Sequence, residues 1–194
     1  MLYTGVKRDL EMETTTTENV IKTYADYQKL KEGEPYQLIN GMLVKSPSPT
    51  VNHQRLIKRL VRMLMVLEDR GLGEVFFAPM DNYFTDTEVY QPDIIFIAKE
   101  NKNVRVDKIV KGAPDLIIEI LSPSTAYYDL RHKAEVYAES GVREYWVVDP
   151  MEERIDIFSN TENRFALASR VERNGEAEST IFPEFRVDIA KLFT

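Results

Sequence analysis

The sequence predicts an α/β fold, in which a mixed β-sheet is flanked by helices within a single domain. Two short apolar runs rich in β-branched residues, 91–97 and 114–121, have the composition of buried strands. Two longer segments, about 50–70 and about 126–140, carry apolar residues at helical spacing. Helices and strands that follow one another in a chain of 194 residues predict a helix-covered sheet with a sizeable core.

The amino-terminal part of the chain predicts an arm, a short helix and a hairpin. Residues 1–20 are polar, so we expect a poorly ordered arm ahead of a domain that spans residues 21–194. Segment 23–30 has the pattern of a short helix. Asn40-Gly41 lies between two apolar stretches of segment 36–44, which is the strongest short signal for a β-hairpin turn.

The long helix should follow this hairpin, since Gly71 ends a pattern that places apolar side chains on one face. That face consists of His53, Ile57, Leu60, Leu64 and Leu67. Further apolar or aromatic runs predict strands at 75–78, 82–84, 144–150, 155–158 and 165–167. Between the two carboxylate-bearing runs, segment 99–111 is charged and predicts a connection. Residues 122–125 offer hydroxyl caps to the second helix.

Composition narrows the classes of function. The chain has no cysteine, which excludes disulfides and thiolate zinc sites. The net charge of −7 argues against a non-specific nucleic-acid binder but not against an enzyme that contacts DNA locally, because a metal ion neutralises the carboxylates around it. No apolar run approaches the roughly 20 residues that cross a bilayer, so we expect a cytoplasmic protein without membrane contact.

Each of the two apolar runs carries a carboxylate. Asp93 lies near the start of the first run, and Glu119 lies in the middle of the second. A charge in a dry sheet is costly unless it is compensated, and two adjacent strands could aim both carboxylates at one divalent metal ion. A turn or cap role for Asp93 and a simple ion pair for Glu119 are the alternatives. For Asp115, which repeats the Pro-Asp context, we expect a structural role.

Three other side chains could complete such a site. Lys133 borders the core-facing side of the second helix, from which it could reach back over the sheet, although an ion pair with Asp129 fits the spacing equally well. His53 could point into the same cleft, or serve as a core or cap histidine. Gln37, in the hairpin, could contact a water on the metal or be an ordinary exposed strand residue. A basic stripe lies opposite the apolar face of the long helix and consists of Arg55, Lys58, Arg59 and Arg62. It could be an ordinary solvated face or a surface that contacts phosphate groups.

These residues together resemble the Uma-type restriction endonuclease family, a branch of the PD-(D/E)XK nuclease superfamily long catalogued as a domain of unknown function. The resemblance runs from about Tyr24 to the C-terminus. It is carried by Gln91-Pro92-Asp93-Ile94, residues 112–125, Asp129, Lys133, Tyr137 and residues 141–150.

The resemblance implies a restriction-endonuclease-like sheet and hydrolysis of phosphodiester bonds with Mg²⁺, for which Mn²⁺ could substitute. It implies that Asp93 and Glu119 are catalytic and bind the metal, together with the main-chain carbonyl of Ile120. It also implies that Lys133 is catalytic, and that His53 and Gln37 support these residues. DNA is the implied substrate, contacted through Arg55, Arg59 and Arg62, and we expect a homodimer because duplex cleavage uses two sites.

Two positions depart from the superfamily pattern. Leu121 stands two residues after Glu119, where the superfamily has its lysine, so that role passes to Lys133. Gln37 stands where similar sequences often have glutamate, and glutamine brings no charge. Two alternatives therefore stay open, a non-catalytic relative that binds nucleic acid or protein, and a metal phosphoesterase that acts on RNA or a small substrate.

Overall fold

The protein is described from a computed structural model, which covers residues 21–31, 33–122 and 127–194, with side chains of the last range from residue 130 onward. The expected arm at residues 1–20 lies outside the described residues. So do most of the expected hydroxyl caps of the second helix, and the side chain of Asp129.

Fourteen strands and four helices form in the described part of the chain. The strands are β1 (Tyr36–Ile39), β2 (Met42–Lys45), β3 (Gly73–Phe77), β4 (Asn82–Thr85), β5 (Glu88–Tyr90), β6 (Ile94–Ala98), β7 (Arg105–Val106), β8 (Val110–Lys111), β9 (Leu116–Ile120), β10 (Glu144–Asp149), β11 (Arg154–Thr161), β12 (Arg164–Glu172), β13 (Glu176–Glu178) and β14 (Arg186–Asp188). The helices are α1 (Tyr24–Tyr27), α2 (Val51–Asp69), α3 (Tyr127–Ser140) and α4 (Ile189–Phe193).

The strands build two six-stranded sheets and one small ribbon. The first sheet has the order β2-β1-β5-β4-β8-β7, the second has the order β12-β11-β10-β9-β6-β3, and β13 pairs with β14. Both large sheets are mixed, since β10 runs parallel to β9 and β4 runs parallel to β8 among otherwise antiparallel pairs. The predicted α/β fold with a mixed sheet is confirmed, although the strands divide between two large sheets.

Strand β9 is buried on both faces, which explains its almost continuous apolar sequence. Ile118 and Ile120 face a core completed by the apolar side of α2 and by α4. Ile117 faces the opposite core, to which α3 contributes Tyr137. Because each fully buried aliphatic side chain contributes about 1.5–3 kcal/mol, this strand is a rigid base for any polar residue that it carries.

The carboxy-terminal segment packs onto its own chain. The ring of Phe185 lies 4.8 Å from that of Trp146, and the ring of Phe182 lies 4.9 Å from that of Phe96. Helix α4 joins the same core through Ile189. Within the described residues, no helix has both the length and the apolar character needed to cross a membrane.

Candidate active site

The two carboxylate-bearing runs lie side by side, as β6 and β9. These strands are antiparallel, with Ile94 opposite Ile118. Asp93 directly precedes β6, and Glu119 directly follows Ile118 in β9, so the two carboxylate residues are close to each other at this end of the strand pair.

Asp93 is held by contacts from two other elements. Its Oδ2 atom accepts a hydrogen bond of 2.8 Å from the backbone amide of Ile120. The Nε2 atom of His53, near the start of α2, lies 3.2 Å from the same oxygen. The hydrogen bond with Asp93 raises the pKa of His53, and the Ile120 backbone and the charge of Glu119 act in the same direction. The Ile120 backbone is therefore close to the side chains of both Asp93 and His53.

Glu119 is a buried carboxylate with two donors on one oxygen. Its Oε1 atom accepts a hydrogen bond of 2.7 Å from the hydroxyl of Tyr137, and the Nζ atom of Lys133 lies 3.3 Å from it. Burial raises the pKa of Glu119 above its ordinary value, and the charge of Asp93 adds to this rise, while the Lys133 ammonium opposes it. Burial is therefore the main reason that ionisation of Glu119 is unfavourable, and the nearby Lys133 ammonium offsets it only in part.

Lys133 reaches the carboxylate from α3. Its side chain is as buried as that of Glu119, and its ammonium also lies 5.5 Å from the centre of the Tyr90 ring. Of the two contacts that the sequence allowed, the one with Glu119 is present, whereas the side chain of Asp129 lies outside the described residues. Lys133 is thus placed beside the acidic pair from outside both strands.

Gln37 supports the chain before Asp93 instead of pointing a free amide at the carboxylates. Its Oε1 atom accepts a hydrogen bond of 3.0 Å from the backbone amide of Gln91, and its Nε2 atom donates to the Ser46 hydroxyl at 3.0 Å. Both ends of the amide are therefore engaged, and the first of these bonds fixes the backbone two residues before Asp93.

The basic residues of α2 separate into two kinds. Arg55 and Arg62 are exposed, as the proposed phosphate contact requires. Arg59 is partly buried, and its Nη1 atom donates a hydrogen bond of 2.6 Å to the carbonyl of Leu192 in α4. One guanidinium nitrogen of Arg59 therefore fastens the carboxy-terminal helix.

Asp115 has the contacts of a structural residue. Its Oδ2 atom accepts hydrogen bonds from the backbone amide of Ala98 at 2.8 Å and from the Asn101 side chain at 2.9 Å. Its Oδ1 atom contacts Arg143 at 3.1 Å. These three partners use both oxygens, which fits the structural role expected for Asp115.

The donor set fits a hard divalent cation. Two carboxylates and the carbonyl of Ile120 are oxygen ligands of the kind that Mg²⁺ takes, and a bound cation would stabilise the ionised form of Glu119, whose pKa is raised by burial and by the charge of Asp93. Within the described part of the chain, no three His, Cys, Asp or Glu side chains are grouped as a metal site. The set therefore depends on two side chains, one main-chain carbonyl, and ligands from solvent or substrate, as Mg²⁺ commonly accepts.

From the sequence, Tyr137 was singled out only as one of the residues that carry the family resemblance, and its contact with Glu119 was not predicted. The available signal was spacing, since Tyr137 follows Lys133 by four residues and so lies one helical turn along the same face. Tyr145 was likewise predicted only as part of the strand at 144–150. It lies next to Tyr137, with its ring 5.5 Å away, and the charges of Glu119 and Asp93 add to the effect of burial in raising its pKa.

Comparison with known proteins supports a family assignment and the fold. Residues 22–190 match the Uma2 family, described as "Putative restriction endonuclease". An uncharacterized protein from Synechocystis sp. is 30% identical over 164 residues, which make up 81% of this chain and 92% of the relative. A crystal structure described as a putative nuclease belonging to DUF820, from Anabaena variabilis, has a TM-score of 0.75 at 22% identity, over 88% of this chain and 97% of that chain. The chain therefore belongs to the Uma2 family and has a nuclease-like mixed α/β fold.

Proposed function

We propose that this protein is a divalent-metal-dependent DNA endonuclease that hydrolyses phosphodiester bonds. The observation that carries the proposal is that Asp93 is bonded to the backbone of Ile120, the residue after Glu119, while the Lys133 ammonium lies 3.3 Å from Glu119. Two acidic ligands can hold a divalent metal ion, and a buried cationic donor can stabilise developing negative charge, so the arrangement suits metal-assisted phosphoryl transfer. Membership of a family described as a restriction endonuclease supports the same reading.

In this proposal Asp93, Glu119 and the carbonyl of Ile120 hold Mg²⁺, or Mn²⁺ in its place. The metal ion would supply Lewis-acid stabilisation of a phosphate oxygen and a lowered pKa for a water molecule. His53 orients Asp93 through their 3.2 Å contact, and Gln37 fixes the backbone before it. The protein's own contribution is therefore a rigid, preorganised set of oxygen ligands.

Lys133 stabilises the additional negative charge that develops on the phosphate in the transition state. During hydrolysis the oxygen of water forms a bond to phosphorus and releases a proton to solvent, the ester P–O bond breaks, and the leaving oxygen takes up a proton from solvent. A buried ammonium is worth more in this role than an exposed one, because water does not screen it. Leu121 cannot replace Lys133, since it has no polar atom in its side chain.

The proposed substrate is DNA, with Arg55 and Arg62 as contacts to its backbone. Both lie on α2, the helix that also brings His53 to Asp93, so a phosphate chain bound along α2 leads to the acidic pair. We also propose that the protein acts as a homodimer, because cleavage of both strands of a duplex uses two sites. If RNA is cleaved as well as DNA, a metal phosphoesterase with a broader range of substrates would be favoured instead.

Plasmid nicking tests the proposed activity. Wild type and Glu119→Ala are incubated with supercoiled plasmid in Mg²⁺, in Mn²⁺ and in EDTA. Glu135→Ala is the matched control, because Glu135 is an exposed carboxylate of α3. The proposal expects metal-dependent nicking by wild type and Glu135→Ala and none by Glu119→Ala. Nicking by none of the proteins, or by all of them equally, would refute it.

A non-catalytic binding module is the second candidate, and Gln37 favours it. Both ends of its amide are engaged within the protein, so this position adds neither a charge nor a free ligand to the site. If this candidate holds, wild type will bind DNA without nicking it in either metal, and the affinity will not depend on Mg²⁺.

A further inference from the structure

We propose that Tyr137 is a positioning residue that fixes the metal-binding carboxylate of Glu119, an inference that rests on the proposed function. Tyr137 does not touch the substrate or the metal in this proposal. It acts through Glu119, by holding one carboxylate oxygen so that the other is presented to the cation.

The contacts of Tyr137 and Lys133 with Glu119 differ in length. The Tyr137 hydroxyl donates to Oε1 of Glu119 at 2.7 Å, the usual length for an O–H···O bond, whereas the Lys133 contact to the same atom is 3.3 Å. Among the described residues, the hydrogen bonds to Glu119 all end on Oε1, which leaves Oε2 as the oxygen that a cation can take. Tyr137 is therefore the stronger determinant of the orientation of the carboxylate.

The hydroxyl of Tyr137 is itself rigidly placed. The side chain is completely buried, and its ring packs at 5.2 Å from Phe84, 5.5 Å from Tyr145 and 5.7 Å from Tyr90. Glu119 lies on a strand that is paired on both sides, by β6 and by β10. A fixed donor and a fixed backbone leave the carboxylate little rotational freedom, which is the role of an outer partner at a metal site.

A separation of roles between Lys133 and Tyr137 follows. In the proposed reaction the Lys133 ammonium stabilises the phosphate and must turn at least partly away from Glu119. The Tyr137 hydroxyl is an uncharged donor that is not attracted to the phosphate, and its 2.7 Å bond to Glu119 needs no rearrangement during the reaction. Tyr137 can thus hold Oε1 throughout the reaction, while Lys133 serves the substrate.

Tyr145 provides a matched control in the same core. It is buried, faces the same side of the second sheet and contacts the ring of Tyr137. Its hydroxyl has no hydrogen-bond partner within the described part of the chain. Tyr145→Phe therefore removes the same chemical group as Tyr137→Phe, from the same surroundings, without removing a bond to Glu119.

The test is the Mn²⁺ affinity of the full chain, measured by calorimetry for wild type, Tyr137→Phe and Tyr145→Phe. Loss of an outer partner of a metal ligand typically weakens metal binding about 10- to 100-fold, so we expect Kd to rise at least about tenfold in Tyr137→Phe. In Tyr145→Phe we expect Kd to change less than about twofold, since no bond to a ligand is lost.

Two unnatural side chains at position 137 keep the bulk of tyrosine and vary only the donor. With 4-fluorophenylalanine, which fills the space but cannot donate, Mn²⁺ binding should be as weak as in Tyr137→Phe. With 4-aminophenylalanine, which donates an N–H, binding should return to near the wild-type value. These two variants still test the inference if Tyr137→Phe does not fold.

The outcomes separate this inference from the proposed function. If Tyr137→Phe and the 4-fluorophenylalanine variant bind Mn²⁺ with the wild-type Kd, Tyr137 is only a packing residue, whether or not these variants lose stability. That result would overturn this inference but not the proposed function. If wild type binds no Mn²⁺ and nicks no plasmid, the proposed function fails, and the inference falls with it.

Discussion

The Oδ2 atom of Asp93 accepts a 2.8 Å hydrogen bond from the backbone amide of Ile120, on the neighbouring antiparallel strand. This bond joins a proposed side-chain ligand to the residue that provides the proposed main-chain ligand. Glu119 precedes Ile120 directly, so all three ligands lie within one cross-strand unit. We therefore expect metal affinity to change when a residue that contacts one of these ligands is replaced. Substitutions elsewhere should leave metal affinity unchanged.

Replacement of Lys133 should separate catalysis from metal binding. Lys133→Met removes the cation at 3.3 Å from Glu119, so we expect plasmid nicking to fall about 100-fold or more. The affinity for Mn²⁺ should stay the same or increase, because the remaining carboxylates become more attractive to a cation. Lys191→Met, which removes an exposed lysine of α4, should change neither quantity. A parallel loss of Mn²⁺ binding in Lys133→Met would contradict the catalytic role.

Asp115 and Asp93 share a Pro-Asp sequence but should behave in opposite ways. Asp115→Ala leaves the Ala98 amide and the Asn101 side chain without their acceptor, which should lower the free energy of unfolding by about 2 kcal/mol or more. Mn²⁺ affinity should not change. Urea denaturation and calorimetry on the same protein check both statements, and weakened Mn²⁺ binding in the folded variant would mean that Asp115 belongs to the site.

The stability of the metal-free protein should depend on pH through His53. Its pKa is raised above the ordinary value of 6.5, first by the hydrogen bond with Asp93. A histidine of this kind contributes stability that is fully present below the unfolded-state pKa and is lost as pH rises through the folded-state pKa. In EDTA, His53→Gln should therefore cost more free energy of unfolding near about pH 5.5 than near about pH 8.5. An equal cost at both values in urea denaturation would contradict the assigned contact.

The exposed arginines of α2 should contribute to DNA binding in a salt-dependent way. Arg55→Ala and Arg62→Ala, each in the Glu119→Ala background, should weaken binding to a duplex measured by fluorescence anisotropy. Each should lower the slope of log affinity against log salt by about 1, since one phosphate contact is lost. Arg164→Ala, an exposed change on β12, is the control. Unchanged slopes in both α2 variants would place the DNA elsewhere.

The features that depend on local periodicity could be predicted from the sequence. The apolar face of α2, the Asn40-Gly41 hairpin and the buried strand β9 all appear in the structure, because the burial of apolar side chains enforces these local patterns. The adjacency of the two carboxylate-bearing strands was also predicted. It followed from the cost of two buried charges, for which a shared partner is the simplest compensation.

Other features depend on long-range contacts that leave little local pattern. The short strands β7 and β8 lie within the charged connection between the two runs, and their pairing is decided by neighbours in space. The same holds for the bond of Tyr137 to Glu119, since a tyrosine in a helix face is usually only part of the core. The attachment of Gln37 to the backbone of Gln91 joins residues 54 positions apart and has no sequence signature.

Titration of Mn²⁺ into wild type and Asp93→Asn by calorimetry tests the central claim most directly. Asp93→Asn keeps the size and an acceptor for the Ile120 amide but removes one negative charge from the acidic pair. The account predicts that wild type binds Mn²⁺ at a site within each chain, and that Asp93→Asn loses this binding while it remains folded. Equal binding by both proteins, or no binding by wild type, would contradict the assignment of Asp93 and Glu119 as a metal site.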